Sequence, residues 1–506
     1  MNTSLNGPPN IKGAIVVGAC LALALGLAAC GGDGGGGDDG PGSAQLNLVI
    51  GDELPLGEDT TSEESKTPEG TTTSEGTTTS EETTTSEETT TSGEETTTSE
   101  EQSTSSGEPL PTGLAQLGES GEKASELALE QIQGAVDEAG ADHEVRVVHE
   151  DQGEDPEAAV QAASGLVHSD GASCLTGPWS AESFFQTADA VAIPNKVLQI
   201  APTPTSEETA DLSDRDLVVS TALPVTLEGN AIAKAIARDL GEAEGNTVNV
   251  AATNDDYGDS LSEGFIEAWQ EQDGTVGGQV VIAPPPLDSS SSSGFESSVY
   301  SGQVSQITDG SPDAVVLIVD PTTLLNLGSA LAASFSWDPE TAWGADELVV
   351  PGLIDEVGAD VIGGMRVLAP GIPKEDEASA AFVREFKSAQ PTDVRIQPFS
   401  AQEFDATILC YLAAVAAGST EGQAMADALI DITAPGGDEF SWQELPEAIE
   451  ALENGEDIDY TGASGPIDMD VRGAPTIGVY DIYVLTEDGL DVEGEVSVSK
   501  PNPAAP

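Results

Sequence analysis

Positive charge is what this chain most lacks. Fifteen Lys and Arg stand against ninety-one Asp and Glu, a formal net charge of −76. Phosphate binding needs cations that displace the counterions of a nucleic acid, so nucleic acid is excluded as a partner. A like-charged surface repels itself, and the composition implies surroundings with enough salt to screen it. Histidine is nearly absent. His143, His149 and His168 are spaced by six and nineteen residues, which matches no zinc pattern, and solvated surface is the expected place for them. No acidic segment has the spacing of a calcium loop, so no metal and no cofactor are expected. Cysteine is scarce too: Cys20, Cys30, Cys174 and Cys410. The last two lie in apolar runs and are expected as buried free thiols, with a cross-link open to them outside the cell.

Long apolar runs are equally few. The longest, residues 13–29 after Lys12, is 17 residues, below the ~20 that a bilayer span needs. It fits a secretory signal. Its end, Leu27-Ala28-Ala29-Cys30, resembles the lipobox of bacterial lipoproteins, which implies export and lipid attachment at Cys30. The lipid would hold the protein to the outer face of a membrane.

Residues 58–110 carry no core-forming pattern. "TTTS" recurs at 71, 77, 83, 89 and 96 among glutamates, too polar to fold and open to glycosylation. Fifteen acidic residues and one lysine here account for fourteen of the negative charges, so −62 belongs to the rest of the chain.

Beyond residue 110 strand-like and helix-like runs alternate: "EVRVVHED", "DPEAAVQAASGLVHS", "ASCLTGPW", "TLEGNAIAKAIARDLG", "TVNVAATNDD", "DAVVLIVD", "LLNLGSALAASF". Alternation of this kind predicts an α/β fold with parallel sheets covered by helices. A sheet of this type starts with a buried strand, and "QLNLVIG" before the tract is the candidate. The tract then interrupts the first strand–helix connection.

The collinear set "LPTGLAQLGESGEKASELAL", "LTGPWSAES", "IAPTPTSEETADL", "NDDYGDSL", "WGADEL", "AQEFDATILCYLAA" and "YTGASGPIDMD" resembles the branched-chain amino acid and amide binding proteins of ABC importers. That resemblance implies the type I periplasmic-binding-protein fold: two Rossmann-like lobes, a three-crossing hinge, and a ligand held between the lobes. With the signal at 1–29 and a Gly/Asp-rich stretch at 30–44 whose composition is that of a tether, it implies a first lobe over 45–222 and 368–460, interrupted by 58–110. The second lobe would span 223–367 and 461–506, including the tail. It also implies a monomer with a small-molecule ligand, and permease and ATPase subunits as partners.

By the same resemblance, Ser180, Ala181, Thr203 and Thr205 would hold a carboxylate. Tyr257 would pack on the ligand, Asp346 would receive an ammonium group, and Asp320 would extend the polar side. Ala181 replaces a serine usual in relatives, and Leu117 stands where many carry tyrosine. Trp179 and Trp343 are expected to flank the cleft from opposite lobes. Gly258-Asp259-Ser260-Leu261 looks like an esterase signature, but every histidine precedes it, and no enzyme is expected. Two other functions fit the fold: a sensing receptor, or a repeat-bearing surface protein with a vestigial scaffold.

Overall fold

In a computed structural model, residues 45–56, 112–153, 155–203, 216–283, 300–389, 394–487 and 489–500 are described. The signal, Cys30, the repeat tract and Thr205 lie outside them.

The first lobe is built on β1 (Leu46–Leu54), β2 (His143–Asp151), β3 (Cys174–Thr176), β4 (Leu198–Ala201) and β5 (Val218–Ser220), in the parallel order β2-β1-β3-β4-β5. The strand before the tract therefore lies inside the sheet, paired Leu46 to His143 on one side and Ile50 to Cys174 on the other. All of its residues but Asn47 are buried, on both faces, as suits a parallel strand under helices. The helix Thr112–Ala139 follows, and its Gly118 touches Pro55: a Cβ there would fall 2.3 Å from the Pro55 carbonyl oxygen. The described chain thus leaves and re-enters the fold at one place.

The second sheet holds β6 (Thr247–Thr253), β7 (Thr275–Ile282), β8 (Ala314–Ile318), β9 (Ala342–Gly344) and β10 (Arg366–Pro370), all parallel. A small sheet follows, of β11 (Asp438–Ser441), β12 (Ile458–Gly462) and β13 (Gly465–Pro466). The hairpin β14 (Ile477–Thr486) and β15 (Gly489–Ser499) then adds antiparallel to β10.

Helix Ser400–Ala417 returns to the first lobe and is buried from Ser400 through Val415. It is apolar nearly all round, and such a helix belongs in a core. Its Cys410 is disulfide-bonded to Cys174 of β3, with Cα atoms 6.0 Å apart. The free thiols expected from the sequence are corrected: the helix lies across the sheet and brings two cysteines 236 residues apart face to face. Such a bond persists in oxidising surroundings. The chain also returns to the second lobe later than residue 461. Tyr460, Ala463, Ile467 and Met469 still pack in the first-lobe core. Asp405 fixes that segment, accepting from Ala463 N (2.7 Å), Ser464 N (2.8 Å), Ser464 Oγ (2.6 Å) and Tyr460 Oη (3.2 Å).

No helix among the described residues is long and apolar enough to cross a membrane, and no group of three or more His, Cys, Asp or Glu among them is arranged to hold a metal.

Candidate functional site

In open α/β sheets small molecules bind beyond the carboxyl ends of the strands. In the first lobe these ends are Asp52–Leu54, Thr176–Ser180 and Ala201–Thr203. Ser180 is exposed and caps the helix Ala181–Thr187, accepting from Ser183 N at 3.3 Å, with Ala181 exposed as the first helical residue. Thr203 follows β4, and its Oγ1 is buried with no hydrogen-bond partner among the described residues. A buried hydroxyl left without a partner is costly. Trp179 lies half-buried against Gly121, where a Cβ would come within 2.4 Å of its ring, and meets Phe399 edge to face at 6.4 Å between centroids.

Below these residues is a constellation that motif reading missed. Asp52, fully buried, accepts from Ser125 Oγ (2.7 Å) and Thr176 Oγ1 (3.1 Å) and pairs with His149 Nδ1 at 2.9 Å. Burial pulls the His149 pKa down, but the hydrogen bond and charge of Asp52 outweigh it and hold it raised. Glu53 and Glu403 are also fully buried, and no carboxylate oxygen of either has a partner of good geometry. Burial first, then the Asp52 charge, pushes both carboxyls well up. Glu403 sits among Thr176, Thr407 and the Trp179 indole, whose polar groups oppose that rise. His149 is thus no solvated residue. Nor is His143, which is 2.9 Å from Tyr411 Oη and 3.5 Å from Glu453; only His168 is exposed. The reason is that β2 is covered on the side where both point.

In the second lobe the strand ends are equally polar. Tyr257, in the first turn of the helix Asp256–Glu271, donates its hydroxyl to Asp346 Oδ1 at 2.5 Å. The Asp346 N–H donates to Glu228 Oε1 at 2.8 Å. Two of the expected residues are therefore brought together and joined directly. Burial raises Asp346 to about 6 against the bonds from Tyr257 and neighbouring backbone, and it raises Glu228 well above its ordinary value. Glu347, one residue on, is exposed to solvent. Burial, then the charges of Asp346, Asp320 and Asp255, lift it to about 8. Its position beside Asp346 in "WGADEL" was the available signal.

Asp320 behaves as a helix cap. It accepts from Thr323 N (2.9 Å) and Thr323 Oγ1 (2.5 Å) at the start of Pro321–Ala332. Trp343 does not flank a cleft: it is 2% exposed in the second-lobe core, with Arg366 over its ring at 5.2 Å. Strand alternation turns it inward. Ser260, in the esterase-like stretch, lies within the helix Asp256–Glu271, whereas His143 and His149 stand on β2 of the first lobe.

Residues 108–478 match the family model described as periplasmic binding protein. The chain belongs to the periplasmic binding protein family. A chemotactic signal transduction system substrate-binding protein, BasB, of Halobacterium salinarum is 22% identical over 398 residues, 75% of this chain and 86% of that protein. Among solved structures, the leucine-binding protein LivK of Thermotoga maritima is similar with a TM-score of 0.55 and 20% identity, over 76% of this chain and 95% of that one. The isoleucine complex of the branched-chain amino acid binding protein LivJ from Streptococcus pneumoniae gives 0.56 at 14% identity, over 90% and 100%. A solute-binding protein of an R. palustris ABC transporter in complex with 4-hydroxybenzoate gives 0.58 at 13%, over 90% and 98%. The fold is that of these type I proteins, α/β with parallel central sheets.

Proposed function

We propose that this member of the family is an exported, lipid-anchored receptor that captures a small polar or zwitterionic solute between its lobes and delivers it to an ABC permease. The carrying observation is the Tyr257–Asp346 pair with Glu347 beside it at the strand ends of the second lobe. An ammonium group entering there meets carboxylates and an aromatic ring, through charge-assisted bonds of ~1.5–3 kcal/mol. On the other lobe Ser180, the exposed start of the Ala181 helix and the Thr203 hydroxyl, unpartnered among the described residues, suit the opposite, acceptor-bearing end of a ligand. Asp320 remains a second-line contact because Thr323 engages it. Thr205 keeps its proposed role from the "APTPTS" motif. Lobe closure would be a hinge motion through three crossings. Anchoring through Cys30 and the placement of 58–110 as an insertion complete the reading, the latter supported by the meeting of Pro55 and Gly118.

A sensing role is the second reading, favoured by the similarity to a chemotactic substrate-binding protein. Capture of solute is common to both roles.

The test is a thermal-shift and tryptophan-emission screen of residues 31–506 in molar salt against amino acids, amides and urea. Ligand at ~100 Kd should add ~2.7 kcal/mol of stability. An amino-acid hit that is lost in Asp346→Asn is the expected result. A hit from amides alone would retire the ammonium role of Asp346, and a folded sample that answers to nothing would overturn the receptor reading. Both capture roles predict the same binding, and co-purification with permease or with a transducer separates them.

A further inference from the structure

A groove of about 1350 Å³ is lined by residues of both lobes, and it includes none of Ser180, Ala181, Thr203, Tyr257, Asp320 or Asp346. Half of its eight charged lining residues are basic: Lys374, Arg384, Lys387 and Arg395. The chain has only fifteen bases against ninety-one acids, so this concentration is far from its average. The side chains of Arg384, Lys387 and Arg395 are exposed and make no ion pair or hydrogen bond among the described residues. Lys374 is the exception, 3.4 Å from Asp481 and 3.8 Å from Glu495. The acids of the groove are Glu119, Asp355, Asp481 and Glu487.

Apolar side chains from both lobes form the rest of the lining. Ile372, Ile396 and Phe399 come from the first-lobe side, and Tyr483, Leu490 and Val492 from the β14–β15 hairpin. Val492 is 48% exposed there. An apolar floor under cations that no described side chain pairs is the recognition pattern for an amphipathic anion. The carboxylate finds guanidinium forks, whose planar geometry suits bidentate pairing, and the body covers surface that is otherwise wet.

We propose that this groove is a second binding site, taking a carboxylate carried on an apolar body longer than an amino-acid side chain. Its volume exceeds the ~300–1,000 Å³ usual for small-ligand pockets, which leaves room for such a body. Both lobes contribute, so the occupant touches the two parts that move on closure. Phe399 lines the groove and packs on Trp179, so occupancy also has an optical reporter.

The experiment titrates the whole chain with octanoate, following Trp179 emission and the unfolding midpoint, with acetate and octylammonium as controls. The expected result is saturable binding of octanoate, none of acetate, and none of octylammonium. Arg384→Gln with Arg395→Gln should weaken octanoate binding at least tenfold and leave any response to amino acids as it was. Equal binding of octylammonium, unchanged octanoate affinity in that variant, or no octanoate binding by folded protein would each overturn the proposal. Saturating leucine that displaces octanoate would place the anion in the cleft and overturn it too.

Discussion

Acidification should stabilise this protein over a range where most proteins are indifferent or begin to fail. Asp405 sets the magnitude. It is fully buried, and burial raises its pKa from 3.8 to about 6 against four hydrogen bonds that work to lower it. A carboxyl with a raised folded pKa holds its proton more tightly in the native state. Its contribution is complete below about pH 3.8 and is lost as pH rises through about 6. Two pKa units correspond to about 3 kcal/mol. Glu53, Glu228, Glu403, Asp346 and Glu347 are raised as well, so their signs agree with that of Asp405. Glu347 carries the trend to about pH 8, though its exposure makes its share small. His149, raised by Asp52, contributes below 6.5 and loses that contribution as pH climbs through its folded value. Asp470, lowered through its backbone and Lys500 bonds, has the opposite sign, but its contribution fades only on acidification below 3.8. Thermal unfolding followed by circular dichroism in ~1 M salt, where a ~3 Å Debye length removes most surface repulsion, isolates the buried groups. The midpoint should climb steadily from pH 8 to pH 5, and Asp405→Asn, having no proton to lose, should show a flatter profile. A midpoint that is level or falls over that range, or an Asp405→Asn slope equal to the parent's, refutes the reasoning.

Removing residues 60–106 should leave solute binding intact and stabilise the fold. The connection shortens by nearly three doublings at ~0.6 kcal/mol each, so about 1–2 kcal/mol is expected in denaturant titration. Loss of folding would mean that the tract is no insertion. Gly121→Ala should push the Trp179 ring aside, since the new Cβ would lie 2.4 Å from it and 3.0 Å from Leu54. A stability loss of ~1–3 kcal/mol and a tenfold weaker hit in the solute screen are expected, with the Trp179 emission shifted before any ligand is added. Unchanged emission and affinity would remove Trp179 from the cleft wall.

The fold was legible because its signals are local and repeated. Apolar runs such as Leu46–Leu54 and Ala314–Ile318 are too short for helices and too continuous for surface strands, and they alternate with helical spacing. The first strand could be placed before the tract because a parallel sheet needs it there. Of the site, the motifs carried positions: Tyr257 and Asp346 came from them and are hydrogen-bonded to each other, and Asp320 caps a helix. Trp343 came from the same motifs and is a core residue, because a motif carries position along the chain and not the direction in which a side chain points. Cys174 and Cys410 were read as separate residues for a similar reason: nothing in two apolar runs 236 residues apart says that one will cross the other.

The sequence by itself determined the charge, the alternation of strands and helices, and the family motifs, since these depend on residue identity and spacing alone. Only the tertiary structure decided which acids lie buried together, that Asp52 finds His149, that the Cys174–Cys410 bond closes, and that Arg384, Lys387 and Arg395 gather at one groove. Those are distances between segments far apart in the chain, and they exist only once the sheets have stacked their helices in place.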